Sequence, residues 1–213
     1  MFQHFSIDTA IFAPYHPPTM SVFNPQTKEI NCKIVYYGPA LAGKTTSLLA
    51  LQEKLKEKKK GDIKKAFETE RTLFFDFLAL SSKESIKGYR PKFQVYTVPG
   101  QILYEDSRKL LLNGVDGIIF VADSRLEYVQ DSIDSLNELD LNLRKLGYTP
   151  DDIPMVVQYN KRDCPTAAKV EHLRGVLNKR SVPEFESTAK KGAGVVEAFE
   201  TILRHVMMAL KED

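Results

Sequence analysis

The 213-residue chain is 43% hydrophobic and 27% charged, with a net charge of +2. Those values fit one soluble globular domain with a sizeable core and exclude a disordered chain. No apolar run reaches transmembrane length, and the near-neutral charge balance makes no case for nucleic acid. The two cysteines, Cys32 and Cys164, fit a reducing compartment and have no metal-ligand spacing. Residues 1–19 contain Pro14, Pro17 and Pro18 and keep no amphipathic period. Residues 1–28 are therefore expected to form a flexible extension, with Met20 a candidate for the true start. From Glu29 the pattern is regular. INCKIVYY predicts a strand and TTSLLALQEKLKEKKK a helix; the basic run Lys54 to Lys65 carries acidic residues and reads as a solvated helix end. RTLFFDFLAL and PKFQVYTV predict the two strands of a hairpin. VDGIIFVADS predicts a buried strand, and Ser124-Arg125-Leu126-Glu127 a capping box opening a helix that ends near Leu146. IPMVVQY, AAKVEHLRGVLN, VPEFEST and GVVEAFETILRHVMMAL predict strand, helix, short strand and closing helix, with Met207 and Met208 as packing residues.

Strands alternating with helices give an α/β domain over residues 29–213: a mostly parallel six-stranded sheet with one antiparallel edge hairpin and helices on both faces. Ligands of such sheets bind beyond the carboxyl ends of the strands. Directly after the first long strand stands Gly38-Pro39-Ala40-Leu41-Ala42-Gly43-Lys44-Thr45, a complete phosphate-binding loop, with Thr46 next in the helix. Its glycines let backbone N–H groups wrap phosphates, and the helix N-terminus adds its dipole. Lys44 is expected to reach the β/γ oxygens, and the Thr45 hydroxyl to ligate Mg²⁺. Asn160-Lys161-Arg162-Asp163 leaves the strand IPMVVQY on the same side. The Asp163 carboxylate suits guanine, which offers N1–H and a 2-amino group, and adenine would leave it unpaired. Lys161 would lay its stem along the base, and Asn160 would tie this loop to the phosphate loop. After the last short strand comes Ser187-Thr188-Ala189-Lys190, where the Ala189 N–H can face a guanine O6. An ATP-using phosphate-loop protein is opposed by Asp163.

With these loops, EINCKIVYYGP, ERTLFFDF, YTVPGQ, SRKL and QYNKRD make residues 29–210 resemble a Ras-like small GTPase of the MglA type, the bacterial cell-polarity and gliding-motility group. The run TVPGQ discriminates most, because common small GTPases place an acidic residue where this chain has Thr97. The resemblance implies GTP/GDP and Mg²⁺ as cofactors, with Thr45 and Thr72 as the metal-ligating hydroxyls and Thr69 the alternative to Thr72. It implies a switch in which Gly100 belongs to the nucleotide-binding residues, Gln101 orients the attacking water and Arg71 acts in cis on the transition state with Lys44. Thr97 brings no charge to the metal, and loss of an outer partner typically weakens affinity about 10–100-fold. Asp123 either compensates in part or is only a loop cap. The Ala40 methyl crowds the γ-phosphate, so slow unaided turnover is expected. The implied partners are an MglB-like homodimeric roadblock-fold protein that stimulates hydrolysis and polarity effectors that read the GTP form. The chain alone is expected to be a cytoplasmic monomer with recruitment to a cell pole. Phe2 and the final Lys211-Glu212-Asp213 give neither a myristoyl signal nor a prenylation box. The rival reading is a nucleotide-dependent binding module with negligible unaided hydrolysis. Finally, Leu73 to Leu80 is apolar on both faces except at Asp76, which leaves strand register weakly fixed. The resemblance implies that this strand slides between nucleotide states.

Overall fold

The computed structural model describes residues 22–57, 63–64, 77–82, 84–98 and 105–212. Along the chain come β1 (Val22–Asn24), β2 (Glu29–Tyr37), α1 (Lys44–Glu57), β3 (Ile63–Lys64), β4 (Phe77–Ser82), β5 (Arg90–Thr97) and α2 (Glu105–Leu112). There follow β6 (Gly117–Asp123), α3 (Val129–Lys145), β7 (Met155–Asn160), α4 (Val170–Leu177), β8 (Glu184–Glu186) and α5 (Val195–Glu212). The sheet runs β3-β4-β5-β2-β6-β7-β8, with β1 laid on β2. Pairings β2–β5, β2–β6, β6–β7 and β7–β8 are parallel, and β4–β5 is antiparallel.

Every residue of β6 and of β7 is buried, as a parallel strand covered on both faces requires. On one face Ile34, Tyr36, Leu51 and Phe199 pack α1 and α5 against the sheet. On the other, Val35, Tyr37, Phe120, Leu139 and Leu173 pack it against α2, α3 and α4. Neighbouring positions of β2 thus serve two separate cores, which is why INCKIVYY reads as one apolar run. Because β5 and β6 flank β2 on opposite sides, the chain departs in two directions from β2. That reversal opens a crevice at the strand's carboxyl end, where Gly38 begins its loop.

Four departures from the sequence reading have physical causes. Residues 22–28 are not a detached extension: Val22–Asn24 pairs with Glu29–Asn31, the stretch of β2 that β6, starting opposite Ile34, does not reach. Among the described residues the sheet has eight strands, the six expected plus the short β1 and β3. The capping box does not form. Residues 126–128 make a 3-10 turn, α3 starts at Val129, and neither start has a side-chain cap. The reason is that the Ser124 backbone is committed elsewhere, its N–H to Asn160 O (2.9 Å) and its C=O to Ala168 N–H (2.7 Å). Met207 packs on the core, but Met208 is 58% exposed on the outer side of α5.

Candidate nucleotide-binding site

The loop between β2 and α1 takes its shape from its two glycines. Gly38 has φ +141°, and a Cβ there would lie 2.2 Å from Val121 O of β6. Gly43 has φ +106°, and a Cβ there would lie 2.2 Å from the Asn160 amide nitrogen. The second glycine is therefore what admits the Asn160 side chain, which donates from Nδ2 to Ala42 O at 2.7 Å. Leu41 turns through the left-handed region at φ +59° and exposes its side chain, while Ala42 is buried. Lys44, the first residue of α1, is buried and donates from Nζ to Gly38 O (2.8 Å) and Pro39 O (2.7 Å). The first turn of α1, which holds Thr45 and Thr46, has no acidic residue to compete with an anion for the helix dipole.

Asn160 joins three loops. Besides its bond to Ala42, its Oδ1 accepts the Ala189 N–H (2.9 Å) and the Ser187 hydroxyl (3.2 Å). The Ala189 N–H, which the sequence reading aimed at a guanine O6, is thus donated to Asn160 in this structure. Ser187 Oγ was missed from sequence, since a serine in a polar turn carries no signal of its own. A second buried tie runs from Gln158 Nε2 on β7 to Ser47 Oγ on α1 at 2.8 Å. Its signal was legible: Gln158 is the one amide in the otherwise apolar IPMVVQY. Lys161 has φ +65°, uncommon for a residue with a Cβ. Asp163 is exposed beyond it, with Lys191 Nζ 3.8 Å from its carboxylate. Thr188 is partly buried and donates its N–H to Ala193 O at 3.1 Å, and Lys190 is exposed on the adjoining 3-10 turn.

The electrostatics centre on two buried charges. Burial first, and then the Arg108 guanidinium, push the Lys44 ammonium down to about 7. Burial alone would raise the Asp123 carboxyl, but hydrogen bonds from Arg125 and Lys161 outweigh it and hold it below the ordinary carboxylate range. Asp123 also accepts the Arg125 N–H at 3.1 Å, a loop-capping bond. Thr97 ends β5, buried, opposite Tyr36 in the register. Among the described residues no group of three or more His, Cys, Asp or Glu is placed to hold a metal. The Thr45 hydroxyl, in the first turn of α1, is a hard oxygen donor of the kind that would suit Mg²⁺. A cavity of about 340 Å³ flanks the loop at Pro39 and Ala40, bounded by Arg108 and by Asp131, Ser135 and Glu138 of α3. Arg108 is ion-paired to Glu138 at 2.8 Å. Thr69, Arg71, Thr72, Gly100 and Gln101 lie outside the described residues.

The ADP-ribosylation factor family model matches residues 19–206. The mutual gliding-motility protein MglA of Myxococcus xanthus is 49% identical over 194 residues, covering 91% of this chain and 99% of that protein. The Ypt/Rab-type GTPase Rab7 of Neurospora crassa is 25% identical over 185 residues, covering 85% of this chain and 84% of its own length. The Ras-related protein Rab-7a of Dictyostelium discoideum is 26% identical, covering 84% of each chain. Among the described residues no helix is long and apolar enough to cross a membrane.

Proposed function

The chain belongs to the ADP-ribosylation factor family of small GTPases and has their Ras-like α/β fold; from that premise we propose a GTP-hydrolysing switch of the MglA type, acting in gliding motility and cell polarity. Guanine nucleotide lies along Gly38 to Thr46, with its base between the Asn160–Asp163 loop and Thr188–Lys190. Lys44 leaves the Gly38 and Pro39 carbonyls for the β/γ oxygens, and Ala189 releases its N–H from Asn160 when a guanine O6 competes for it. The hydroxyls of Thr45 and Thr72 would hold Mg²⁺, which would supply positive charge to stabilise the phosphates during transfer. Arg71 and Gln101 act on the transition state, and Gly100 meets the γ-phosphate. A homodimeric roadblock-fold protein of the MglB kind stimulates the reaction, effectors read the GTP form, and the work is done in the cytoplasm at a cell pole.

The observation that supports this reading most is the Asn160 side chain, which links the phosphate loop at Ala42 to the last loop at Ser187 and Ala189. One amide then keeps phosphate and base subsites at a fixed separation. The test is base exchange. Asp163→Asn, whose amide can donate to the O2 of xanthine, should lose GDP and GTP affinity by roughly ten-thousandfold and gain xanthine nucleotides. Unchanged GTP affinity in a titration would remove Asp163 from base recognition. A binding module with negligible hydrolysis is favoured by one feature, the uncharged Thr97 at the end of β5.

A further inference from the structure

We infer that Asp123 is a positioning residue for the base loop: its carboxylate, braced by Arg125 and Tyr128, holds Lys161 in place, so that the residence time of guanine nucleotide depends on it. The inference rests on the reading that Asn160, Lys161 and Asp163 receive the base.

Asp123 and Asn160 are register partners at the ends of the parallel strands β6 and β7. Lys161 is the next residue after Asn160, and its ammonium lies 2.5 Å from Asp123 Oδ2. A lysine is a flexible four-carbon stem whose head is usually mobile, so a fixed stem needs a fixed partner. The partner here is rigid. The Asp123 side chain is 2% exposed. Its oxygens accept from Arg125 Nε (3.0 Å) and Nη2 (2.8 Å) as well as from the Arg125 backbone. The Arg125 guanidinium in turn lies 3.9 Å from the centre of the Tyr128 ring, with Lys161 Nζ at 5.9 Å from the same ring. Two cations and one aromatic face thus converge on a single buried carboxylate.

The backbone reinforces the arrangement. Ser124 N–H donates to Asn160 O (2.9 Å), Leu126 N–H to Thr166 O (2.9 Å), and Ala168 N–H to Ser124 O (2.7 Å). Residues 123–126 are thereby zipped onto the 160–168 loop. Lys161 itself sits at φ +65°, a conformation that persists only where its surroundings over-determine it. A stem ordered before the base arrives loses less entropy on binding, and the gain appears chiefly in the dissociation rate. Removing the carboxylate would also leave the Arg125 and Lys161 cations facing each other without compensation. These commitments account for the Asp123 charge without a metal.

The test uses the full chain loaded with a fluorescent GDP. Asp123→Asn should release it about tenfold faster or more, the loss of one charge-assisted hydrogen bond and the cation pairing it supports. Lys161→Met should do the same, and the double variant should release no faster than the faster single. That coupling is the readout a merely structural aspartate would not give, because an independent loss of stability would add. Release at the parent rate, or full additivity with Lys161→Met, would overturn the inference. If Asp123→Asn does not fold, Arg125→Met, at a partly exposed position, should quicken release only while Lys161 is present; release at the parent rate would again overturn it. Asp163→Asn runs beside them: guanine preference unchanged in that variant would remove the base-loop reading itself, whatever Asp123 does.

Discussion

Lys44 is a cation kept out of water, donating to the Gly38 and Pro39 carbonyl oxygens, with the Arg108 charge disfavouring its proton. A lysine whose value in the fold is depressed to about 7 binds fewer protons than the unfolded chain above that pH. The nucleotide-free protein should therefore gain stability as pH rises from about 7 towards the ordinary lysine value of 10.5, and lose that gain as pH falls back over the same interval to about 7. Phosphate oxygens reverse the shift by favouring the ammonium. Binding of GDP above about pH 7 should then take up a proton. Titration calorimetry at pH 8 in buffers of different ionisation enthalpy should give heats that differ by up to one proton's worth, with the difference fading by pH 6. Identical heats in all buffers at pH 8 would mean that Lys44 is already charged before nucleotide arrives.

At the scale of the elements, β4 connects the segment bearing Arg71 and Thr72 to the hairpin that leads into Gly100 and Gln101. It pairs antiparallel with β5, Phe77 opposite Tyr96 and Leu80 opposite Phe93. Leu78, Ala79 and Leu80 are all buried, so neither face of the strand is marked as the outside one. A clean alternation would forbid a shift of register, and this pattern does not. If capture of a γ-phosphate by Thr72 slides β4, amide exchange should change across residues 72–80 and 92–98 between GDP and a GTP analogue. Change restricted to residues 68–72 and 99–108 would mean a static strand with mobile flanks.

The same elements show where sequence was readable. The phosphate loop was legible because its chemistry needs backbone that only glycine supplies, at Gly38 and Gly43, and because it stands between an apolar strand and a helix. Asn160 was legible as part of a tetrapeptide in register with that loop, to which it is bonded at Ala42 O. The brace around Lys161 was not, because Asp123 lies 38 positions away and only the β6–β7 register brings the two together. The capping box was misread for a related reason: the Ser124 backbone closes a bridge to the next loop, and a tertiary pairing overrides a local cap. The short β1 was invisible since three residues carry no period.

For the whole molecule, the sheet places the loop after β2 at the carboxyl end of a central strand. The crevice at the end of β2 holds the phosphate loop, and α2, which follows the Gly100-Gln101 segment, presents Leu110 71% exposed. The proposed switch ends in hydrolysis, and single-turnover conversion of GTP with protein in excess tests this directly. Slow conversion to GDP by the chain alone, and a large acceleration by a homodimeric roadblock-fold partner, are expected. Arg71→Ala and Gln101→Leu should each reduce the stimulated rate by roughly a hundredfold or more while GTP still binds. GTP that stays intact over many hours, with partner and with Mg²⁺, would contradict a hydrolytic role and leave a nucleotide-dependent binding module.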